Sequence, residues 1–115
     1  MKTSVLRVHK KKIHALRCDT LFAHTLGLMF RRNTNAFFVF PRPVRHTVHG
    51  LFCLQELQLL FLDHTKRVIE ISVLKPWGLY RPTHAYSYLI ELSTPVQGIK
   101  YNEKVDIYSY TESTG

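Results

Sequence analysis

The chain has 115 residues, 45% of them hydrophobic, and carries 16 Lys and Arg against 8 Asp and Glu for a formal net charge of +8. That length predicts one domain over 1–115, burying roughly two-thirds of the surface its unfolded form exposes, with no room for a second core. No apolar run approaches the roughly 18 residues needed to cross a membrane, and His14, Arg17, Asp19 and His24 interrupt the stretch where a signal peptide would be apolar, so the expected location is cytoplasmic.

Residues 4–8 and 13–17 read as a first hairpin, with Lys10, Lys11 and Lys12 exposed at or near its turn. Asp19 or Thr20 can cap a helix by accepting an orphan backbone N–H, and Phe22, Leu26 and Met29 fall at i, i+4 and i+7 on one face. Gly27 weakens that helix, so it is short and ends near residue 30. After Asn35 the chain becomes strand-like over 37–40, 47–52, 57–62, 67–74, 86–92 and 104–110, and the turn Asp63-His64-Thr65-Lys66 joins two of these as a hairpin.

Period-two facing assigns each strand a place. Ile69, Ile71 and Val73 share one face and Glu70 and Ser72 the other, which makes that strand half exposed. Residues 57–62 are apolar on both faces apart from Gln58, as suits the middle of a sheet or a place where the helix covers it. Tyr88, Ile90 and Leu92 share one face, Leu89 and Glu91 the other. The expected fold is therefore mainly β, an antiparallel β barrel or sandwich of six to eight strands plugged by one short α-helix.

Charge is unevenly spread. Residues 1–50 hold ten basic residues with Asp19 as the sole acid, whereas residues 51–115 hold six basic and seven acidic residues. Such a field attracts phosphates, acidic proteins or anionic lipid heads, and it equally describes a solubilising face. Lys10, Lys11, Lys12 and Arg32 are the candidates for weak, salt-sensitive binding of nucleic acid or another polyanion, carried by charge and not by base reading.

Metal and cofactor chemistry find no support in the spacing. Cys18 and Cys53 stand alone, without a Cys-x-x-Cys pair. His46 and His49, three apart on a strand, point to opposite faces and cannot share an ion. The chain has no His-Glu-x-x-His, no Gly-x-Ser-x-Gly elbow, no phosphate loop and no dinucleotide fingerprint. No catalytic residue, metal or cofactor is assigned.

Aromatics leave a clearer trace. Phenylalanines cluster between residues 22 and 61 and are core candidates. The loop Pro76-Trp77-Gly78-Leu79-Tyr80-Arg81-Pro82 is rich in aromatic and rigid residues and is flanked by Lys75. Trp with Arg is a pairing used in binding and stacking surfaces. The plainer reading has Trp77 folded back as a lid over one open end of the barrel.

The order of blocks from Thr25 to Asp63 resembles the family known as domain of unknown function 192: Thr25-Leu26-Gly27-Leu28-Met29-Phe30-Arg31-Arg32, Phe37-Phe38-Val39-Phe40-Pro41, His46-Thr47-Val48-His49-Gly50-Leu51-Phe52 and Leu59-Leu60-Phe61-Leu62-Asp63. The likeness continues through Arg67-Val68-Ile69-Glu70-Ile71, the Trp77 loop, Tyr88-Leu89-Ile90-Glu91-Leu92 and Gly98-Ile99-Lys100. The His-bearing strand is similar to the archaeal branch. Glu56, Gln58, Asn102 and Glu103 depart from the pattern, standing where relatives carry Pro, Asp and Gly-Asp. The resemblance implies a β fold and no established activity.

Its least generic blocks contain Arg31, His49, Trp77, Tyr80 and Glu91, which are expected to converge on one ligand-binding cleft. The leading reading is a small binding module for an anionic ligand: a polyanion, an acidic carbohydrate or a protein partner. The alternative is a small enzyme using a Glu91/His49 acid-base pair. Oligomeric state is left open.

Overall fold

A computed structural model of the chain describes residues 3–18, 34–49 and 55–110. Nine strands run in chain order: β1 (Thr3–Val8), β2 (Lys11–Cys18), β3 (Ala36–Val44), β4 (Val48–His49), β5 (Leu57–Leu62), β6 (Val68–Leu74), β7 (Leu79–Tyr80), β8 (Tyr86–Leu92) and β9 (Asp106–Tyr110). Seven form one sheet in the order β6-β5-β8-β3-β2-β1-β9, and β4 and β7 form a separate two-stranded ladder. The fold is mainly β, as the alternation predicts. The predicted helix over 20–30 lies outside the described residues, as do Arg31, Arg32 and Cys53.

One pairing corrects the antiparallel expectation. β2 and β3 run parallel, Leu16 opposite Ala36 and Cys18 opposite Phe38, while the remaining strand pairs are antiparallel. A two-residue turn cannot join parallel neighbours, and here they are separated in sequence by residues 19–35.

The sheet curls until its two edges meet. Arg67 bridges Lys104, Val68 N donates to Glu103 O at 2.9 Å, and Asn102 N donates to Val68 O at 2.7 Å. This seam ties the start of β6 to the segment leading into β9. The concave interior is filled by Leu6, Val8, Ala15, Phe37, Leu60, Leu62, Val68, Ile90 and Leu92, contributed by six strands. Side chains fill it, as in other small barrels.

A second apolar layer lies on the convex side, where Phe38, Leu59, Phe61, Leu74, Tyr86 and Leu89 pack with Val48 of the β4–β7 ladder. β5, between β6 and β8, feeds both layers, as its two apolar faces require. The reading of β6 as half exposed needs correcting. Phe61 pairs with Glu70 but Leu62 pairs with Val68, so Ile69 is an extra residue in the ladder. That bulge turns Ile69 toward the convex layer. Glu70 is only 6% exposed, whereas the hydrophobic Val73 is 52% exposed.

Candidate functional site

The β4–β7 ladder pairs Val48 with Tyr80 and His49 with Leu79. It brings together three of the residues singled out in the sequence: His49, Trp77 and Tyr80. Trp77 sits in a four-residue turn closed by Gly78 N donating to Lys75 O at 2.9 Å. Pro76 occupies the second position of that turn, and Trp77 at the third has φ 63°. Positive φ at the third position is what a type II turn demands, and it is a place for Gly or Asn. For a bulky residue it is an outlier that costs on the order of 1–3 kcal/mol. Gly78 is fixed by close approach, because an added Cβ would lie 3.0 Å from the Lys75 carbonyl oxygen.

The strained indole does not cover the barrel. Trp77 is 60% exposed and Leu79 is 76% exposed, which corrects the lid reading. Together with Gly78 and His49 they line a concavity of about 220 Å3. His49 is half-buried, and its Nδ1 is buried without a hydrogen-bond partner among the described residues. Lys75 and Arg81, both exposed, bracket the turn in sequence.

A polar clamp, unanticipated in the sequence, anchors this loop. The Glu70 carboxylate accepts from the Tyr80 hydroxyl, from Thr83 N at 3.0 and 3.1 Å, and from His84 N at 3.0 Å. His84 Nδ1 also lies 3.0 Å from Glu70 Oε1, so an ionised carboxylate there requires the proton on Nδ1. Burial pushes the Glu70 carboxyl up, but the hydrogen bonds from Tyr80, His84 and Thr83 outweigh it and hold the group below its ordinary range. Burial, and then the bond to Glu70, push the Tyr80 hydroxyl up. The Tyr80 ring packs on Phe61 with centroids 5.7 Å apart. The only sequence signal for the clamp was a lone charge in an otherwise apolar and small strand.

Glu91 is not among the described residues that line the Trp77 concavity. It is fully buried in β8 between Ala36 and Leu59 of the neighbouring strands. Its charge and that of Glu70 add to burial in raising the Tyr86 hydroxyl, which donates to His46 O at 3.0 Å. His46 itself is exposed, with its ring tilted against Phe40 at 5.7 Å. No group of three or more metal-ligating side chains occurs among the described residues, nor is any helix there long and apolar enough to cross a membrane.

Three of the positions that depart from the family pattern, Gln58, Asn102 and Glu103, have structural partners. Gln58 exchanges hydrogen bonds with Val96, accepting from its N–H at 2.8 Å and donating to its carbonyl at 3.2 Å. Glu103 accepts from His9 Nδ1 at 3.1 Å, and Asn102 takes φ 71° in the turn at the barrel seam. Lys10, Lys11 and Lys12 stand exposed at the β1–β2 turn, where His9 and Lys10 both have positive φ.

Comparison with known proteins places this architecture among relatives. The DUF192 family model, described as an uncharacterized ACR, matches residues 4–107. A UPF0127 protein of Pyrococcus horikoshii is 37% identical over 76 residues, 64% of this chain and 66% of that protein. One from Pyrococcus furiosus is 36% identical over 83 residues, 70% of this chain and 72% of that protein. A crystal structure from Novosphingobium aromaticivorans, of a protein of unknown function, aligns with TM-score 0.72 at 18% identity over 90% of this chain and 83% of that one. Another, from Sinorhizobium meliloti and described as a candidate transcription regulator, aligns with TM-score 0.75 at 14% identity over 91% of this chain and 92% of that one. At such identities the structural likeness is one of fold.

Proposed function

The chain belongs to the DUF192 family, and from that premise we propose that it is a binding module whose Trp77 concavity takes an anionic ligand with a flat ring face, such as an acidic sugar or a phosphorylated ring compound. One observation carries this reading. A tryptophan is held at positive φ and 60% exposed beside His49, whose Nδ1 is buried without a partner among the described residues. Backbone strain persists where surrounding structure over-determines it, often at ligand sites.

Each part then has a role. The indole offers a stacking face, the His49 ring a second wall, and Lys75 with Arg81 the charge complement to an anion. The Glu70 clamp keeps residues 79–84 in place before a ligand arrives, which lowers the ordering cost of binding. The volume of about 220 Å3 matches one ring and its substituent. The enzymatic alternative, a Glu91/His49 pair, gains nothing from a Glu91 that has no exposed surface.

Because Trp77 is the sole tryptophan, intrinsic fluorescence reports on the site directly. Titration with uronic acids and with sugar phosphates should shift the emission saturably for one of the two classes. Lys75→Gln/Arg81→Gln and His49→Ala should each weaken that response about tenfold, the factor that corresponds to roughly 1.4 kcal/mol. Flat emission with both classes up to millimolar concentration, or variants that titrate like the parent, would overturn the reading.

A further inference from the structure

We infer that the convex face of the β2-β1-β9 end of the sheet is a binding groove for single-stranded nucleic acid, separate from the Trp77 concavity and sharing no lining residue with it. The groove has a volume of about 430 Å3 and among the described residues is lined by Val5, Arg7, Lys12 and Tyr108.

The strand registers explain why these four meet. Leu6 and Val8 point into the barrel, so Val5 and Arg7 point out. Arg7 is opposite Lys12 on one side and Asp106 on the other, and Val5 is opposite His14 and Tyr108. Residues directly opposite in antiparallel strands share a face. One surface thus carries an apolar floor at Val5, 7% exposed, an aromatic ring at Tyr108, 53% exposed, and two exposed cations. Asp106 is the one acid in this register and His14 a further imidazole, while Lys10 adds a cation at the adjoining turn.

This combination fits a phosphate backbone with unpaired bases. Arg7 and Lys12 complement phosphates, and a base laid on Tyr108 over Val5 gains stacking that any base can supply. A duplex offers no such free base face, and no recognition helix stands on this surface among the described residues. An acidic polypeptide would satisfy the cations but leave Tyr108 without a stacking partner.

The test uses the intact protein with a fluorescein-labelled 12-nucleotide oligo(U), read by anisotropy at low salt and again at rising salt, with heparin and polyglutamate as competitors. Arg7→Gln/Lys12→Gln should weaken oligo(U) binding at least tenfold and flatten the salt slope by about 1.4, since each single-strand phosphate contact contributes about 0.7. Tyr108→Leu, at an exposed position, should weaken oligo(U) about fivefold or more and leave heparin affinity unchanged. Circular dichroism and melting temperature establish that each variant is folded. The inference falls if oligo(U) does not bind at low salt, if either folded variant binds like the parent, if Tyr108→Leu weakens heparin equally, or if polyglutamate binds more tightly than oligo(U). None of these outcomes depends on the Trp77 site.

Discussion

Trp77 stands where a glycine would relax the backbone, and it makes a testable contrast between stability and binding. Truncating a buried tryptophan typically costs about 3–5 kcal/mol. Here the side chain is 60% exposed and φ is 63°. Trp77→Gly should therefore leave the unfolding free energy within about 1 kcal/mol of the parent, relief of the left-handed backbone offsetting the added entropy of the unfolded chain. Urea denaturation checks this, and a loss of several kcal/mol would mean the indole is a structural lid after all. In calorimetry the same variant should lose binding of the ligand class that shifts Trp77 emission. A residue that harms binding while leaving stability nearly untouched is retained for what it contacts outside the chain.

At the scale of elements, the strap 79–84 depends on Glu70 of β6. A folded-state value below the ordinary 4.5 means that the clamp contributes stability above that pH and loses it as acid protonates the carboxyl. Unfolding free energy should accordingly hold its Glu70 contribution near neutrality and lose it as pH falls below about 4.5 through the lower folded value. Glu70→Gln should reduce stability by about 2 kcal/mol at pH 7, the scale of hydrogen bonds to a charged group, and flatten the acid limb. Chemical denaturation of both proteins from pH 3 to 7 measures this; parallel curves would show that the carboxylate charge is not what holds the strap. Loosening β7 should also shift Trp77 emission, because Leu79 and Tyr80 follow its turn directly.

The whole molecule is a curled sheet with apolar layers on its two faces, and the layers predict an uneven response to mutation. Leu60 is fully buried in the barrel interior, while Val73, on the adjacent strand, is 52% exposed at the rim. Leu60→Ala should cost about 2–5 kcal/mol through lost burial and the cavity left behind, and Val73→Thr should change stability by less than about 0.5 kcal/mol. Thermal melts of the two variants decide it. Similar shifts would mean that the interior layer is not the main source of stability.

The alternation of apolar and polar residues was enough to determine that the fold is mainly β. It set β5 and β8 to the residue, placed the β1–β2 turn at or near its lysines, and showed through two apolar faces that β5 is covered on both sides, because side-chain direction along a strand follows from backbone geometry alone. The blocks that resemble the family, and not the alternation, singled out Arg31, His49, Trp77, Tyr80 and Glu91, of which the β4–β7 ladder and its turn carry His49, Trp77 and Tyr80. Tertiary structure alone decided the rest. The bulge at Ile69 turned that residue onto the convex face, since facing inverts where one extra residue enters a ladder, and the strap 79–84 covering that face turned Glu70 from an apparent solvent residue into a buried anchor. The parallel β2–β3 pairing, the seam from Arg67 to Lys104, and the meeting of Arg7, Lys12 and Tyr108 all join residues distant in sequence. Local patterns say which way a side chain points, but which strand lies beside it is set by how the apolar faces close on one another.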